Sequence, residues 1–240
     1  MTQLVLKNLA KIYDGKKVVD DVNLTVKQGQ VTGLLGPNGA GKTTTFYMTV
    51  GLIKPDGGTV LIDKEDITHH PMYIRARKGI GYLPQESSIF KKLTVQENIT
   101  AILEVLPKNK SDIKQKAMDL MKELGISNLS GQKANSLSGG ERRRLEISRV
   151  LATRPLFILL DEPFAGIDPL AVIDIQQIIY QLTKKGIGVL ISDHNVRETL
   201  GVCNNAYIMS QGKVIEAGNP DKITSSKIAK KNYLGENFKL

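Results

Sequence analysis

An α/β fold built on a mostly parallel sheet is predicted, and three observations carry it. First, Gly36-Pro37-Asn38-Gly39-Ala40-Gly41-Lys42-Thr43-Thr44 fits G-x-x-x-x-G-K-[ST], the phosphate-binding P-loop. It lies between a buried-strand pattern, Val31-Thr32-Gly33-Leu34-Leu35, and a helical stretch from Thr44 to Val50. Second, Leu156-Phe157-Ile158-Leu159-Leu160 is a continuous apolar run, as expected of a central parallel strand covered on both faces. Third, strand signals fade from about Leu93 to Lys133 and helical periodicity replaces them, the mark of a helical insertion.

Taken in order, the chain opens with strand-like runs at Leu4-Val5-Leu6, Val18-Val19 and Val22 to Val26, punctuated by Asp14-Gly15 and Gln28-Gly29. They predict a small antiparallel sheet ahead of the P-loop strand. After the P-loop helix, Gly51 and Pro55-Asp56-Gly57-Gly58 turn the chain into a strand from Thr59 to Ile62. In the helical segment, Ser111 is placed as an N-cap. Ile113, Ala117, Leu120, Met121 and Leu124 keep one face up to a stop at Gly125. Past the Leu156 run, Asp168-Pro169 reads as N-cap and first residue of a helix. Its core face is Val172, Ile175, Ile178, Ile179 and Leu182, and Gly186 ends it. Gly188 to Ile191 is the next strand, a hairpin turns at Gln211-Gly212, and a basic C-terminal helix follows. One domain of two joined lobes is expected over 1–240, with 1–85 and 155–240 as the core and 86–154 as the helical lobe.

Composition sets bounds on function. Of 240 residues, 41% are hydrophobic and 24% charged, ordinary values for a globular protein. No apolar run approaches the ~20 residues that span a bilayer, and Met1-Thr2-Gln3-Leu4 does not resemble a secretory leader. The single cysteine, Cys203, excludes an internal disulfide and suits a reducing, cytoplasmic setting. The net charge of +9 is compatible with nucleic acid, an anionic membrane surface or a solvated basic surface. Aromatic residues make up 5% and tryptophan is absent, so platforms for stacking bases are poorly supplied.

Three stretches carry chemistry. In the P-loop, backbone N–H groups surround phosphate oxygens, Lys42 reaches the β- and γ-phosphates, and the Thr43 hydroxyl is placed for Mg²⁺. The strand ending Leu159-Leu160-Asp161-Glu162 fits the Walker B pattern. Because side chains alternate along a strand, Asp161 is expected near the metal and Glu162 at the attacking water. Leu137-Ser138-Gly139-Gly140-Glu141 is a second glycine-rich helix start, hence a second anion site. One P-loop with one such site suggests two halves of a composite nucleotide site.

That segment resembles the signature motif of ABC-transporter ATPases, and the order P-loop, Gln85, signature, Walker B, His194 matches the family over essentially the whole chain. The resemblance implies the ABC ATPase fold: a P-loop NTPase core, an N-terminal antiparallel β subdomain and an inserted α-helical subdomain. It implies Mg-ATP as ligand and a head-to-tail homodimer, each ATP held between one copy's P-loop and the other's signature. By the same resemblance Tyr13 takes the place of the aromatic residue that stacks on adenine, the alternative being a tyrosine packed at the sheet edge. Gln85 takes the Q-loop place, sensing Mg²⁺ or water. Ala165-Gly166-Ile167-Asp168 takes that of the D-loop, and His194 that of the switch histidine. His69 and His70 read as surface residues. Glu141 stands where glutamine is commoner and suits the helix dipole. Arg142-Arg143-Arg144 reads either as a solvated helix face or as contacts to nucleotide or partner.

With no apolar span, a transport role requires integral membrane subunits. The family's docking groove falls at Glu86-Ser87-Ser88-Ile89-Phe90-Lys91-Lys92-Leu93, where Phe90 is either a groove residue or core. Further strings, Phe164 to Pro169, Asp193 to Thr199 and Tyr233 to Phe238 among them, resemble ATPase subunits of lipopolysaccharide-export machines of bacterial inner membranes. That implies a cytoplasmic protein peripheral on the inner membrane through its partner, with no nucleic acid. The competing resemblance is to ATPase subunits of branched-chain amino-acid importers, and the net charge of +9 suggests a further rival, a non-transport P-loop protein acting on nucleic acid.

Overall fold

A computed structural model describes residues 1–106, 110–166, 168–238 and 240. Two sheets organise them. β1 (Gln3–Tyr13) and β2 (Lys16–Lys27) form a long antiparallel hairpin, and β4 (Gly57–Ile62) and β5 (Glu65–Asp66) extend it in the order β2-β1-β4-β5. The three short runs at the start of the chain are thus two long strands. Register shifts near Asn8 and Asp21, both in the left-handed region, interrupt their pairing.

The second sheet runs β10-β9-β3-β8-β7-β6. Its strands are β3 (Val31–Leu35), β6 (Ile80–Leu83), β7 (Phe157–Asp161), β8 (Gly188–Ser192), β9 (Asn205–Ser210) and β10 (Lys213–Gly218). The first five of these pair in parallel, and β10 closes one edge antiparallel to β9. β3, β7 and β8 are buried at every residue, which explains their unbroken apolar pattern. Parallel order brings the carboxyl ends of β3, β8, β7 and β6 to one edge, where an open α/β sheet binds its ligands.

Helices cover the sheet. α1 (Lys42–Val50) starts two residues earlier than Thr44, and α2 (Met72–Arg77) precedes β6. The helical segment holds α3 (Val95–Glu104), α4 (Lys110–Glu123) and α5 (Gly139–Leu151). Ser111 lies inside α4 and therefore does not cap it; Ile113, Ala117, Met121 and Leu124 are buried as the spacing predicts. These residues merge with Ile158, Ile178 and Val189 into one core beneath the parallel sheet. α6 (Pro169–Lys184) begins at Asp168, whose carboxylate accepts from Ala171 N at 3.0 Å, as expected of the cap. After α7 (Val196–Val202), the single basic C-terminal helix is replaced by three short pieces. They are α8 (Pro220–Ser225), α9 (Lys227–Ala229) and a π-turn over Lys230–Leu234. No helix among the described residues is long and apolar enough to cross a membrane.

Candidate nucleotide site

The loop between β3 and α1 is forced into shape by its surroundings. At Gly36 (φ +150°) a Cβ would lie 2.2 Å from Met209 O, and at Gly41 (φ +100°) it would lie 2.5 Å from Val18 O. Only glycine fits both places. The β9–β10 turn braces the loop from below: Gly212 N donates to Ala40 O (3.0 Å) and Asp20 N to Gly212 O (2.8 Å). α1 has no side-chain cap and no acidic residue in its first turn, so its leading N–H groups are left for an anion. Lys42 is buried and folds back, Nζ donating to Gly36 O (2.6 Å) and Pro37 O (3.0 Å). Burial holds its ammonium below the usual lysine range, and Glu162, Asp161 and Asp193 oppose that shift.

Asp161 closes β7 and is buried; desolvation, then the charge of Glu162, pushes its carboxyl up to about 6. A hydroxyl from Tyr82, across the β6–β7 pairing, and the charges of Lys42 and Arg143 work the other way. Glu162 follows in the left-handed region (φ 45°), its N–H tied to Ser192 O at 2.6 Å. This strained turn lifts the carboxylate away from Asp161 and into a cleft of ≈ 250 Å³ with Val18 and residues 38–44. There Glu162 Oε2 accepts from Gln85 Nε2 at 2.8 Å and lies 3.3 Å from His194 Nδ1. Gln85, Glu162 and His194 thus converge from β6, β7 and β8 beside the P-loop.

Sequence reasoning missed Asp193 as a fixing point. It is fully buried, accepting from Phe164 N (2.9 Å) and Asn195 N (2.8 Å), so one carboxylate ties the loop after Glu162 to the loop of His194. Burial pushes its carboxyl up.

Ser138, Gly139, Gly140, Glu141 and Asp168 line a different cleft, of ≈ 390 Å³, with Arg144 and Asp174. Ile167 lies outside the described residues. Ser138 caps α5 in a capping box: Ser138 Oγ accepts from Glu141 N (3.3 Å), and Glu141 Oε2 accepts from Ser138 N (2.8 Å). The S-x-x-E spacing was the available signal for this pairing. The Ser138 backbone N–H holds the Glu141 carboxyl below its usual range. Tyr13 is 43% exposed at the end of β1, with Lys11 Nζ 5.3 Å from its ring centre.

A solvated arginine face on α5 does not survive. Arg143 is buried, pairs with Glu146 (3.1 Å) and donates to Pro84 O (3.2 Å), joining the signature helix to the Gln85 loop. Arg144 pairs with Asp174 of α6 (2.5 Å), and Arg142 donates to Leu137 O (3.2 Å). Phe90 is 45% exposed, not core: Ile89 takes the buried place, and Arg149 lies 4.6 Å from the Phe90 ring centre. His69 is exposed, but His70 is half-buried, with Nδ1 enclosed and unpartnered.

Comparison with known proteins follows the same lines. Residues 19–165 match the family model described as ABC transporter. The chain is 55% identical, over the full length of both, to the lipopolysaccharide export system ATP-binding protein LptB of Escherichia coli K12. It is 55% identical to the protein of that name from Haemophilus influenzae, again over all of both chains. The fold superposes on the ADP conformation of an ATP-binding cassette of an ABC transporter with TM-score 0.90 and 32% identity, covering 98% of this chain and 100% of that one. It also matches a dimeric post-hydrolysis cassette bound to ADP and Pi, with TM-score 0.78 and 26% identity over 90% of this chain and 98% of that one.

Proposed function

This chain belongs to the ABC transporter family and is an ATPase of it, and from that premise we propose that it powers lipopolysaccharide export, as a head-to-tail homodimer closing on two ATPs. The observation that carries the reaction is the meeting of Gln85, Glu162 and His194 beside a P-loop whose helix start is uncapped. Residues 36–44 wrap the phosphates, with Lys42 swinging from the Gly36 and Pro37 carbonyls to the β- and γ-oxygens. The donor set fits Mg²⁺. Among the described residues no group of three or more His, Cys, Asp or Glu is placed to hold a metal. One buried carboxylate, a hydroxyl and an amide, from Asp161, Thr43 and Gln85, suit an ion that keeps waters and phosphate oxygens as its other ligands. Bound there, Mg²⁺ neutralises charge on the β- and γ-phosphates.

Glu162 accepts a proton from the attacking water, and His194 orients that water and the γ-phosphate. Each needs the other, since Nδ1 turned toward Glu162 leaves Nε2 for the substrate. Tyr13 stacks on the adenine. Ser138, Gly139, Gly140 and Glu141, with Asp168, lie in a cleft of their own and complete the partner copy's site. That two-cleft arrangement is what a head-to-tail pair requires. The core of 1–85 and 155–240 holds the P-loop and water chemistry, and the helical lobe of 86–154 carries the signature.

Integral membrane subunits dock in a groove at Glu86 to Leu93, where exposed Phe90 is an apolar lining residue flanked by Lys91 and Lys92. A partner helix with an apolar knob and acidic neighbours fits that groove. The protein then sits in the cytoplasm, on the inner membrane only through that partner. Full-length identity of 55% to LptB of two species supports the substrate assignment. Glu162→Gln keeps the side-chain shape and removes the base, so ATP binding is expected to stay within about twofold while hydrolysis falls about 10²- to 10⁴-fold. Near-normal phosphate release would overturn the mechanism. Copurification of the chain with membrane subunits that do not bind lipopolysaccharide would overturn the substrate.

A further inference from the structure

The mechanism leaves one fully buried cation unused. Arg75 of α2 is 1% exposed and forms no ion pair among the described residues; its guanidinium is spent on backbone carbonyls. Nη1 donates to Met48 O (2.6 Å) and Thr49 O (2.7 Å), Nη2 to Thr68 O (2.6 Å), and Nε to His70 O (2.8 Å). Asp66, the carboxylate whose charge it feels, is itself engaged by Thr68. Burial pushes the guanidinium down to about 10, so it stays charged at neutral pH.

Met48 and Thr49 belong to the last turn of α1, whose first turn is the phosphate site. A cation there meets the negative end of the helix dipole. The chain has made room for it: α1 ends at Gly51 (φ +85°), where a Cβ would lie 2.8 Å from Arg75 Nε. The same α2 leads directly into β6 and so to Gln85.

We propose that Arg75 is a positioning residue for nucleotide binding, its guanidinium holding the far end of α1 and adding positive potential at the phosphate end. This rests on the reading of residues 36–44 as the ATP phosphate site. The nine residues of α1 span about 14 Å, which puts phosphate about 16 Å from the charge. At an effective dielectric of about 20, one unit of charge at that distance changes affinity about fivefold per unit of phosphate charge. The effect therefore grows with phosphate charge, whereas a merely structural clamp weakens all nucleotides alike.

Titration calorimetry with ATP and with ADP, alongside melting temperature, tests this on the full chain. Arg75→Met is expected to weaken ATP binding at least fivefold and to weaken ADP binding less, narrowing the preference for ATP about fivefold. Arg75→Gln keeps donors for the carbonyls without the charge. It is expected to do the same, and it carries the test where the Met variant does not fold. Arg75→Lys keeps the charge on poorer hydrogen bonds and is expected to lower Tm while leaving the ATP-to-ADP preference within twofold of wild type. An unchanged preference in the neutral variants, or equal narrowing in the lysine variant, overturns the proposal. Lys42→Ala separates the underlying reading: if ATP still binds it at wild-type affinity, the phosphate site is elsewhere and Arg75 has no such role.

Discussion

Asp161→Asn should make this protein more stable while removing its metal-dependent hydrolysis, and the gain should depend on pH. The wild-type carboxyl sits buried at the end of β7, next to Glu162, and is pushed from an ordinary 3.8 up to about 6. A carboxyl whose folded value lies above its unfolded one stabilises the fold fully below about pH 4. That contribution is lost as pH rises through about 6. The gap corresponds to about 3 kcal/mol, which the folded wild type lacks at pH 8 and regains on acidification. Asparagine fills the same space, cannot ionise, and is spared this cost at any pH. Since groups away from the cleft titrate alike in both proteins, their difference reports Asp161 together with Lys42, the ammonium its charge acts on. In a chain of this size 1 kcal/mol moves Tm by about 2–4 °C, so the variant should melt about 6–12 °C above wild type at pH 8.

The two melting curves should approach each other as pH falls from 8 to 4.5. Nucleotide-free protein in chelator is the sample to use, because bound Mg-ATP would stabilise the ionised carboxylate and hide the effect. A difference that stays flat across that range, or a variant less stable at pH 8, would refute the assignment of a buried, charge-crowded carboxylate.

Other expected outcomes concern separate parts of the molecule. Ser138→Arg places a long cation in the signature cleft, so ATP-driven dimerisation should vanish by size-exclusion chromatography in a Glu162→Gln background, with ATP binding to the single chain intact. Phe90→Ala removes a half-exposed ring and its contact with Arg149, worth about 0.5–1 kcal/mol. Its Tm should fall by no more than about 4 °C while copurification with membrane subunits drops. Burial pushes the Cys203 thiol up to about 12, leaving about one thiolate in 10⁴ at pH 8. Iodoacetamide should therefore leave the native chain unmodified over an hour and label it fully in denaturant, which mass spectrometry reads directly.

Much of this protein is written locally. The P-loop, the Asp168 cap, the face of α4 and the buried strand β7 each depend on neighbours within a few residues, through backbone freedom at glycine, a cap's reach or a side-chain period. Even so, local reading left Phe90 open between groove and core. Asn98 settles it by binding the Phe90 backbone at both N–H (2.8 Å) and C=O (3.1 Å), which turns the ring outward. The arginine run on α5 failed for the same reason. Spacing says which residues share a helix face, as Arg143 and Glu146 do, but not that Pro84 and Asp174 wait opposite.

By itself, then, the sequence determined the chemistry on offer: a phosphate loop, a carboxylate pair at a strand end, a second glycine-rich helix start and a histidine after a strand. Tertiary structure alone decided who meets whom. Gln85 and Glu162 are 77 residues apart and touch because β6 and β7 are neighbours in a sheet whose order does not follow the chain. The signature residues, 24 positions before Glu162 at Ser138, stay in a cleft of their own. Likewise no local pattern marks Arg75, which is closed from water only because α2 folds onto the end of α1. Pairings of that kind come from the packing of distant segments, and no periodicity within one segment encodes them.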